Sequence, residues 1–342
     1  MLNWVRQLRF NPIPILIKSE NKAISYFARR DLMELAAEPV YAIWRLSEVT
    51  RLLDKQKIDG SWKYHGGKEA FRSQENYDQL ETYRTLGILV EKYGLTSEHP
   101  AIQEAADFLF SFQTAEGDFR GIYGNQYTPN YSAAIMELLI KAGYDDDEQT
   151  EKGFKWLLDM RQNDGGWAIP TRTLCGEDAL TFMQAMRKRE PVQPDKSKPF
   201  SHLVTGIVLR AFAAHPRYRN TEEARRAGEL LKTRFFKPDT YPDRKAPSFW
   251  TKFTYPFWFT DLLSSLDSLS LMGFTIEDPH VEKAVRWLMD RQQEEGLWRA
   301  NMLKPREDKD LKLWVSLAIC RVFKRLYKTL LIVHAENRRE WA

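Results

Sequence analysis

The sequence has little cysteine. Cys175 and Cys320 are the only two among 342 residues, which excludes a disulfide framework or a cysteine-rich zinc site. No run approaches the roughly 18 uninterrupted apolar residues of a membrane-crossing helix. The opening stretch MLNWVRQLRF lacks the apolar core of a secretion signal, so a cytoplasmic location is expected. Neither charge dominates: 51 Lys and Arg against 47 Asp and Glu leave +4, too balanced to point to nucleic acid. Sustained strand alternation is also missing. Gly117, Gly121 and Gly124 do not form a phosphate-binding loop after a strand. What stands in excess is aromatic: 11 Trp, 14 Tyr and 19 Phe make up 13% of the chain.

Part of that excess belongs to a repeat. The segments 52–62, 109–119, 157–167 and 288–298 align without gaps. Each is an apolar helical end, a Gln or Arg (Gln56, Gln113, Arg161, Gln292), then Gly, then an aromatic (Trp62, Phe119, Trp167, Trp298). A degenerate fifth copy, 230–241, has Arg234 in the slot. The slots are 57, 48, 73 and 58 residues apart. The Gly can take a positive φ and end the helix. The long amide and the aromatic are then placed to stack and hydrogen-bond to a neighbouring helix end, so each copy becomes a buckle between units.

A second helical pattern follows each buckle: 77–94, 130–143, 201–215, 258–273 and 311–331. Several of these are apolar almost all round, as expected of covered helices. The buckle-bearing helices keep a charged face, as in 221–234, with Thr221 a candidate N-cap. Segment 21–37 can supply a sixth inner helix. The expected fold is all-α, with two concentric layers of helices closed into a ring. All of 1–342 is then one domain, with segment 1–40 packing on or completing the ring.

QKIDGSW and QQEEGLW resemble the QW motifs of squalene–hopene cyclases and related triterpene cyclases, which recur in looser form in protein prenyltransferase β subunits. The resemblance covers about residues 40–330. It implies an α/α-toroid of about five to six helix pairs and a substrate pocket inside the ring, near the starts of the inner helices. The families' catalytic motifs are not found. The nearest approach to Asp-x-Asp-Asp is Asp145-Asp146-Asp147-Glu148, which suits a helix cap. No Asp-x-Cys pair precedes Cys175 to complete a zinc set with His202, and Asp-Asp-x-x-Asp is absent. No metal and no cofactor are expected.

The inner helix starts bring Tyr77, Asp78, Glu81, Thr82, Asn130, Tyr131, His202, Thr205 and Asp261. The preceding loops add Phe119, Arg120, Tyr123 and Tyr127, then Trp250, Phe253, Tyr255, Phe257 and Trp258. Segment 249–259 holds seven aromatics in eleven positions. The expected substrate-binding set is Phe119, Tyr123, Tyr127, Tyr131, Trp250, Phe253, Tyr255, Phe257 and Trp258. Aromatic faces can wrap an isoprenoid or stabilise a carbocation. Asp261 or Asp78, kept protonated in an apolar pocket, can donate the initiating proton, which makes the protein terpene-cyclase-like, a lyase or isomerase. Glu81 and His202 are further acid/base candidates. The same residues suit a carbohydrate if Asp78 or Glu81 pairs with Asp261. A non-catalytic binding scaffold is the third reading. The structural alternatives are core filling for the aromatics, N-capping for Asp78 and Asp261, and a hydrogen-bonded structural role for His202.

Two inserts complete the survey. Segment 168–200, with Glu177 and Asp178, reads as an exposed loop or lid. The last helix carries Lys312, Arg321, Lys324, Arg325 and Lys328, which suits either peripheral contact with a membrane surface or closure of the ring. The oligomeric state has no signal in the sequence.

Overall fold

The computed structural model describes residues 3–35, 38–68, 72–299, 301–302 and 308–339, without the side chains of 301–302 and 328–339. The helices are α1 Ile13–Ile17, α2 Lys22–Phe27, α3 Tyr41–Trp44, α4 Ser47–Leu53, α5 Gln74–Tyr93, α6 Pro100–Phe110, α7 Pro129–Lys141, α8 Glu148–Asp159, α9 Pro170–Cys175, α10 Ala179–Met186, α11 His202–Ala214, α12 Glu222–Lys232, α13 Leu262–Leu271, α14 Pro279–Met289 and α15 Leu311–Arg339. The inner layer is the circuit α2, α5, α7, α11, α13 and α15, each packed on the next, with α15 returning to α2 and α2 to α5. Outside it, α4 and α6 pack on α5, α8 on α7, α12 on α11 and α13, and α14 on α13. With α1 outside α2, this is an α/α-toroid of six pairs.

Periodicity explains the layers. In α11 all but one of the thirteen residues are buried, so the helix is covered on every side. In α12, Ala224, Ala227, Gly228 and Leu231 are buried at helical spacing while Arg225 faces solvent. Thr221 caps it, accepting from Ala224 N at 3.3 Å. The sixth inner helix is shorter than the predicted 21–37: α2 runs into a π-helical turn, Ala28–Leu32, and Ala36 and Ala37 lie outside the described residues. A two-residue parallel pair, β1 Lys252–Phe253 with β2 Asn301–Met302, joins the loops before α13 and α15.

The buckles hold the outer layer together. Gln56 Nε2 donates to Gly60 O at 2.9 Å and to Ala101 O of α6 at 2.8 Å. Gln113 Nε2 does the same to Gly117 O (2.9 Å) and Gln149 O of α8 (2.8 Å). Gln292 Nε2 reaches Gly296 O (2.9 Å) and Phe10 O (2.8 Å), and its Oε1 accepts from Phe10 N at 3.1 Å. The last buckle therefore joins the C-terminal unit to the N-terminal segment. The glycines sit at φ +81°, +114° and +89°. A Cβ there would lie 2.1 Å from Glu104 O, 2.5 Å from Lys152 O and 2.9 Å from Asn11 O, all backbone atoms of the next outer unit. Glycine is needed for the turn and for the close approach alike.

Four basic residues of α15 make ion pairs within the ring, Lys312 with Glu295 among them. Arg321 pairs with Asp31, Lys324 with Glu34 and Arg325 with Asp267, while the Lys328 side chain lies outside the described residues. Among the described residues, no helix is long and apolar enough to cross a membrane. Insert 168–200 folds as α9 and α10, with Leu174, Leu180 and Met183 exposed. Its Asp178 caps α10, and its Glu177 pairs with Lys245.

Gln292→Ala removes three hydrogen bonds at the ring closure and leaves Phe10 N unpaired. At about 1 kcal/mol each, the expected loss is ~2–3 kcal/mol in urea unfolding. Arg9→Ala, which breaks an exposed ion pair with Asp290, should cost less than about 0.5 kcal/mol.

Candidate functional site

Four of the inner helices, α5, α7, α11 and α15, are tied to the buckle before them. The backbone N–H of the buckle aromatic donates to a Ser or Thr hydroxyl in the next inner helix: Trp62 to Thr82 (3.0 Å), Phe119 to Ser132 (3.0 Å), Trp167 to Thr205 (2.9 Å) and Trp298 to Ser316 (3.0 Å). The indoles of Trp62, Trp167 and Trp298 donate to Leu52, Leu157 and Leu288 carbonyls at 2.6–2.8 Å. Phe119, expected in the binding wall, is thus a buried buckle residue.

Three of the predicted wall residues do come together. Tyr131 at the start of α7 lies 5.6 Å from the ring of Tyr123 and 6.3 Å from Tyr83, and Trp258 meets Tyr83 edge-on at 5.5 Å. Gly87, one turn along α5 from Tyr83, leaves room for the indole: a Cβ there would stand 2.7 Å from Trp258 Cη2. Among the described residues, none accepts from the hydroxyls of Tyr83, Tyr123 or Tyr131. Burial raises all three, Tyr131 against the pull of Arg84, Arg72 and Arg244.

The other aromatics go elsewhere. Tyr127 packs on Trp156 and donates to Glu116 at 2.5 Å. Trp250 lies against His202 and Phe235. Phe253 meets Trp287 of α14. Tyr255 stacks on Trp314 with Phe257 on its edge, and its hydroxyl joins Arg321 (3.0 Å) to Glu91 O (3.1 Å). Tyr127 belongs to the loop before α7, Trp250 to a 3-10 turn, Pro247–Thr251, and Phe253 to the short strand β1, so these side chains are delivered to different parts of the ring.

The candidate acids differ in the same way. Asp78 is engaged by Lys57 (3.1 Å), Gln74 (2.6 Å) and Tyr64 N (2.9 Å). Glu81 pairs with Arg84 at 3.6 Å. His202 is neutral: burial lowers it to about 4, and its ring rests on Trp250 at 4.5 Å. Asp261 stands apart. It caps α13, its Oδ1 accepting from Ser264 N at 2.8 Å, and its Oδ2 has no partner. Burial raises it to about 7, against the Ser264 hydrogen bonds and Arg210. Arg210 cannot hold it ionised because Arg210 is already paired with Glu137 at 2.8 Å, in a buried chain that continues to Lys141 and Glu91. Asp78 and Asp261 share no partner.

The sequence reading missed Tyr83, Arg210 and Arg244. Tyr83 sits one turn beyond the predicted helix-start residues, and the Arg–Glu pairing joins separate helices. A cavity of about 610 Å³ lies at the opposite end of the ring. Val90, Glu91, Lys141, Arg321, Lys324 and Arg325 help to line it, and it holds none of the predicted site residues. Among the described residues, no three His, Cys, Asp or Glu side chains gather to hold a metal.

Residues 76–183, α5 to α10, match the squalene-hopene cyclase C-terminal domain family. Over 136 residues the chain is 26% identical to a probable squalene–hopene cyclase of Sinorhizobium fredii; the alignment covers 40% of this chain and a fifth (20%) of that relative. Among solved structures, a variant of the type II terpene cyclase MstE from Scytonema, in complex with merosterolic acid A, is 13% identical, covering 91% of this chain and 100% of that one at TM-score 0.47. The unsaturated glucuronyl hydrolase of a Bacillus species is 12% identical over 95% of this chain and 86% of its own, at TM-score 0.48.

A raised carboxyl keeps in the fold a proton that the unfolded chain releases above its ordinary value of 3.8. Wild-type stability should therefore fall as pH rises from about 4 to about 7, then level off. Asp261→Asn keeps the cap and lacks the titration, so in urea unfolding it should gain on the wild type over that window, by on the order of 4 kcal/mol. A difference independent of pH would mean that the carboxyl is ionised in the fold.

Proposed function

We propose that this chain, as one toroidal unit, is a terpene-cyclase-like protein that holds an isoprenoid at the inner-helix starts and protonates it from Asp261. The feature that carries this reading is a buried aspartate with an unpartnered oxygen, its carboxyl raised by burial to about 7, three residues beyond the tryptophan that packs on Tyr83. The carboxyl O–H would pass its proton to a terminal alkene carbon. The carboxylate left behind would keep the hydrogen bond it accepts from Ser264 N, and the cation would face Tyr83, Tyr131 and Trp258, whose ring faces are electron-rich. The substrates named for the solved neighbours fit this chemistry: one MstE variant holds geranylgeranyl dihydroxybenzoate.

A carbohydrate reading needs two cooperating carboxylates, and Asp78 is committed to Lys57 and Gln74. A non-catalytic binding role is the second reading, favoured by the sealing of Asp261 Oδ2 from solvent in this conformation.

The test is incubation of purified protein with squalene and with geranylgeranyl substrates in detergent, followed by mass spectrometry of the extract. The expected product is cyclised and isomeric with the substrate. Asp261→Asn should lower its formation about 100-fold or more, as loss of a general acid does, while Tyr83→Phe, which keeps the ring face, should cost less than about 10-fold. Binding without turnover by the wild type would select the scaffold reading. Wild-type turnover unchanged in Asp261→Asn would remove the acid assignment.

A further inference from the structure

The insert 168–200 turns an apolar face outward. In α10, Ala185 and Met186 are buried and hold the helix to the ring. The opposite side carries Leu180, Met183, Gln184 and then Arg187, at the i, i+3, i+4 and i+7 spacing of one helix face, and all four are exposed. Leu180 is 76% exposed and Met183 42%, and Leu174 in α9 is 57% exposed. A helix that meets only water on its outer side carries polar residues there.

A basic run follows this face at once. Arg187, Lys188 and Arg189 are exposed, and among the described residues none of their side chains is in an ion pair. Of the carboxylates nearby, Glu177 pairs with Lys245, Asp178 caps α10, and Glu190 ends the run. In α15, by contrast, Arg321, Lys324 and Arg325 are paired within the ring. The insert is also held in place. Arg172 of α9 grips Asp243 in a two-pronged pair at 2.6 and 2.8 Å. Gln126 Oε1 accepts from Val192 N at 2.8 Å, and Gln193 Nε2 donates to the Tyr127 hydroxyl at 3.3 Å. These bonds strap the insert to the loop that carries Tyr123. Apolar side chains edged by unpaired cations match a surface that is apolar within and anionic at its rim.

We propose that the outer face of α9 and α10 docks on a bilayer with anionic headgroups, Leu174, Leu180 and Met183 entering the interface and Arg187, Lys188 and Arg189 meeting the phosphates. The docking concerns how the chain meets a lipid surface and not what the ring holds, so it goes beyond the isoprenoid reading and stands without it.

The test is co-sedimentation of the full chain with vesicles of phosphatidylcholine alone and of phosphatidylcholine mixed with phosphatidylglycerol. The wild type should bind the mixed vesicles more tightly, and high salt should release it. A variant carrying Leu180→Ser and Met183→Ser should bind the mixed vesicles about 10-fold more weakly or worse at an unchanged melting temperature, since both side chains already face solvent. Replacing Arg187, Lys188 and Arg189 by Gln should cost about 10-fold or more as well. Ile58→Ser, at a fully exposed residue of the first buckle, should change binding less than about 2-fold. Equal binding to the two kinds of vesicle, no binding to either, or an equal loss in Ile58→Ser would overturn the proposal. So would self-association without vesicles that Leu180→Ser and Met183→Ser abolish, because the face would then be covered by a second copy of the chain. No isoprenoid is used, so the result is independent of whether a polyene is bound or cyclised.

Discussion

The structure depends on one contact: the backbone of one unit pressed against the positive-φ glycine of the unit before it. Gly60, Gly117 and Gly296 admit carbonyl groups where no side chain would fit. The neighbouring glutamine amide then bonds both the turn and the next outer unit. Six helix pairs have no sheet to align them, and helices alone pack over a range of angles. The buckle removes that freedom by fixing each outer helix end to the next start. Through the aromatic N–H and a Ser or Thr hydroxyl, the same buckle fixes where the inner helix begins. The site at the helix starts is therefore a consequence of the outer layer.

The repeat and the ring were legible because their signals are local. A slot residue, a glycine four positions on and an aromatic six positions on lie in one stretch of chain, and a helix covered on all sides shows in its composition. The third and fourth slots along the chain, Arg161 and Arg234, keep the turn bond, to Gly165 and Pro238. The site was only partly legible. Tyr123, Tyr131 and Trp258 converge, but Trp250, Phe253, Tyr255 and Phe257 pack instead on His202, Trp287 and Trp314, because 249–259 passes through a 3-10 turn and a two-residue strand rather than one regular element. Asp78 and Asp261 look alike in sequence, as acids at helix starts. What separates them is Lys57, which reaches Asp78 from the preceding buckle, and Glu137, which neutralises Arg210 beside Asp261.

Charge is arranged unevenly along the ring. Toward the inner-helix ends, Arg210, Glu137, Lys141 and Glu91 form a buried chain, and Arg321 with Asp31 and Arg325 with Asp267 tie α15 to its neighbours. Buried ion pairs add little net stability, yet breaking one strands a charge at a cost of several kcal/mol. Their effect is to fix register between helices whose apolar faces can otherwise slide. Asp31, Glu91, Lys141, Arg321 and Arg325 among them line the cavity of about 610 Å³ at that end.

If an isoprenoid is bound as proposed, its reacting end would lie toward Asp261 and the faces of Tyr83 and Trp258. Burial raises the Asp261 carboxyl, and the guanidinium nearest to it is already paired with Glu137, while no described carboxylate lies within ion-pairing distance of Arg244. Each is a group left unsatisfied by the fold, and both lie on the tyrosine-lined side of the ring.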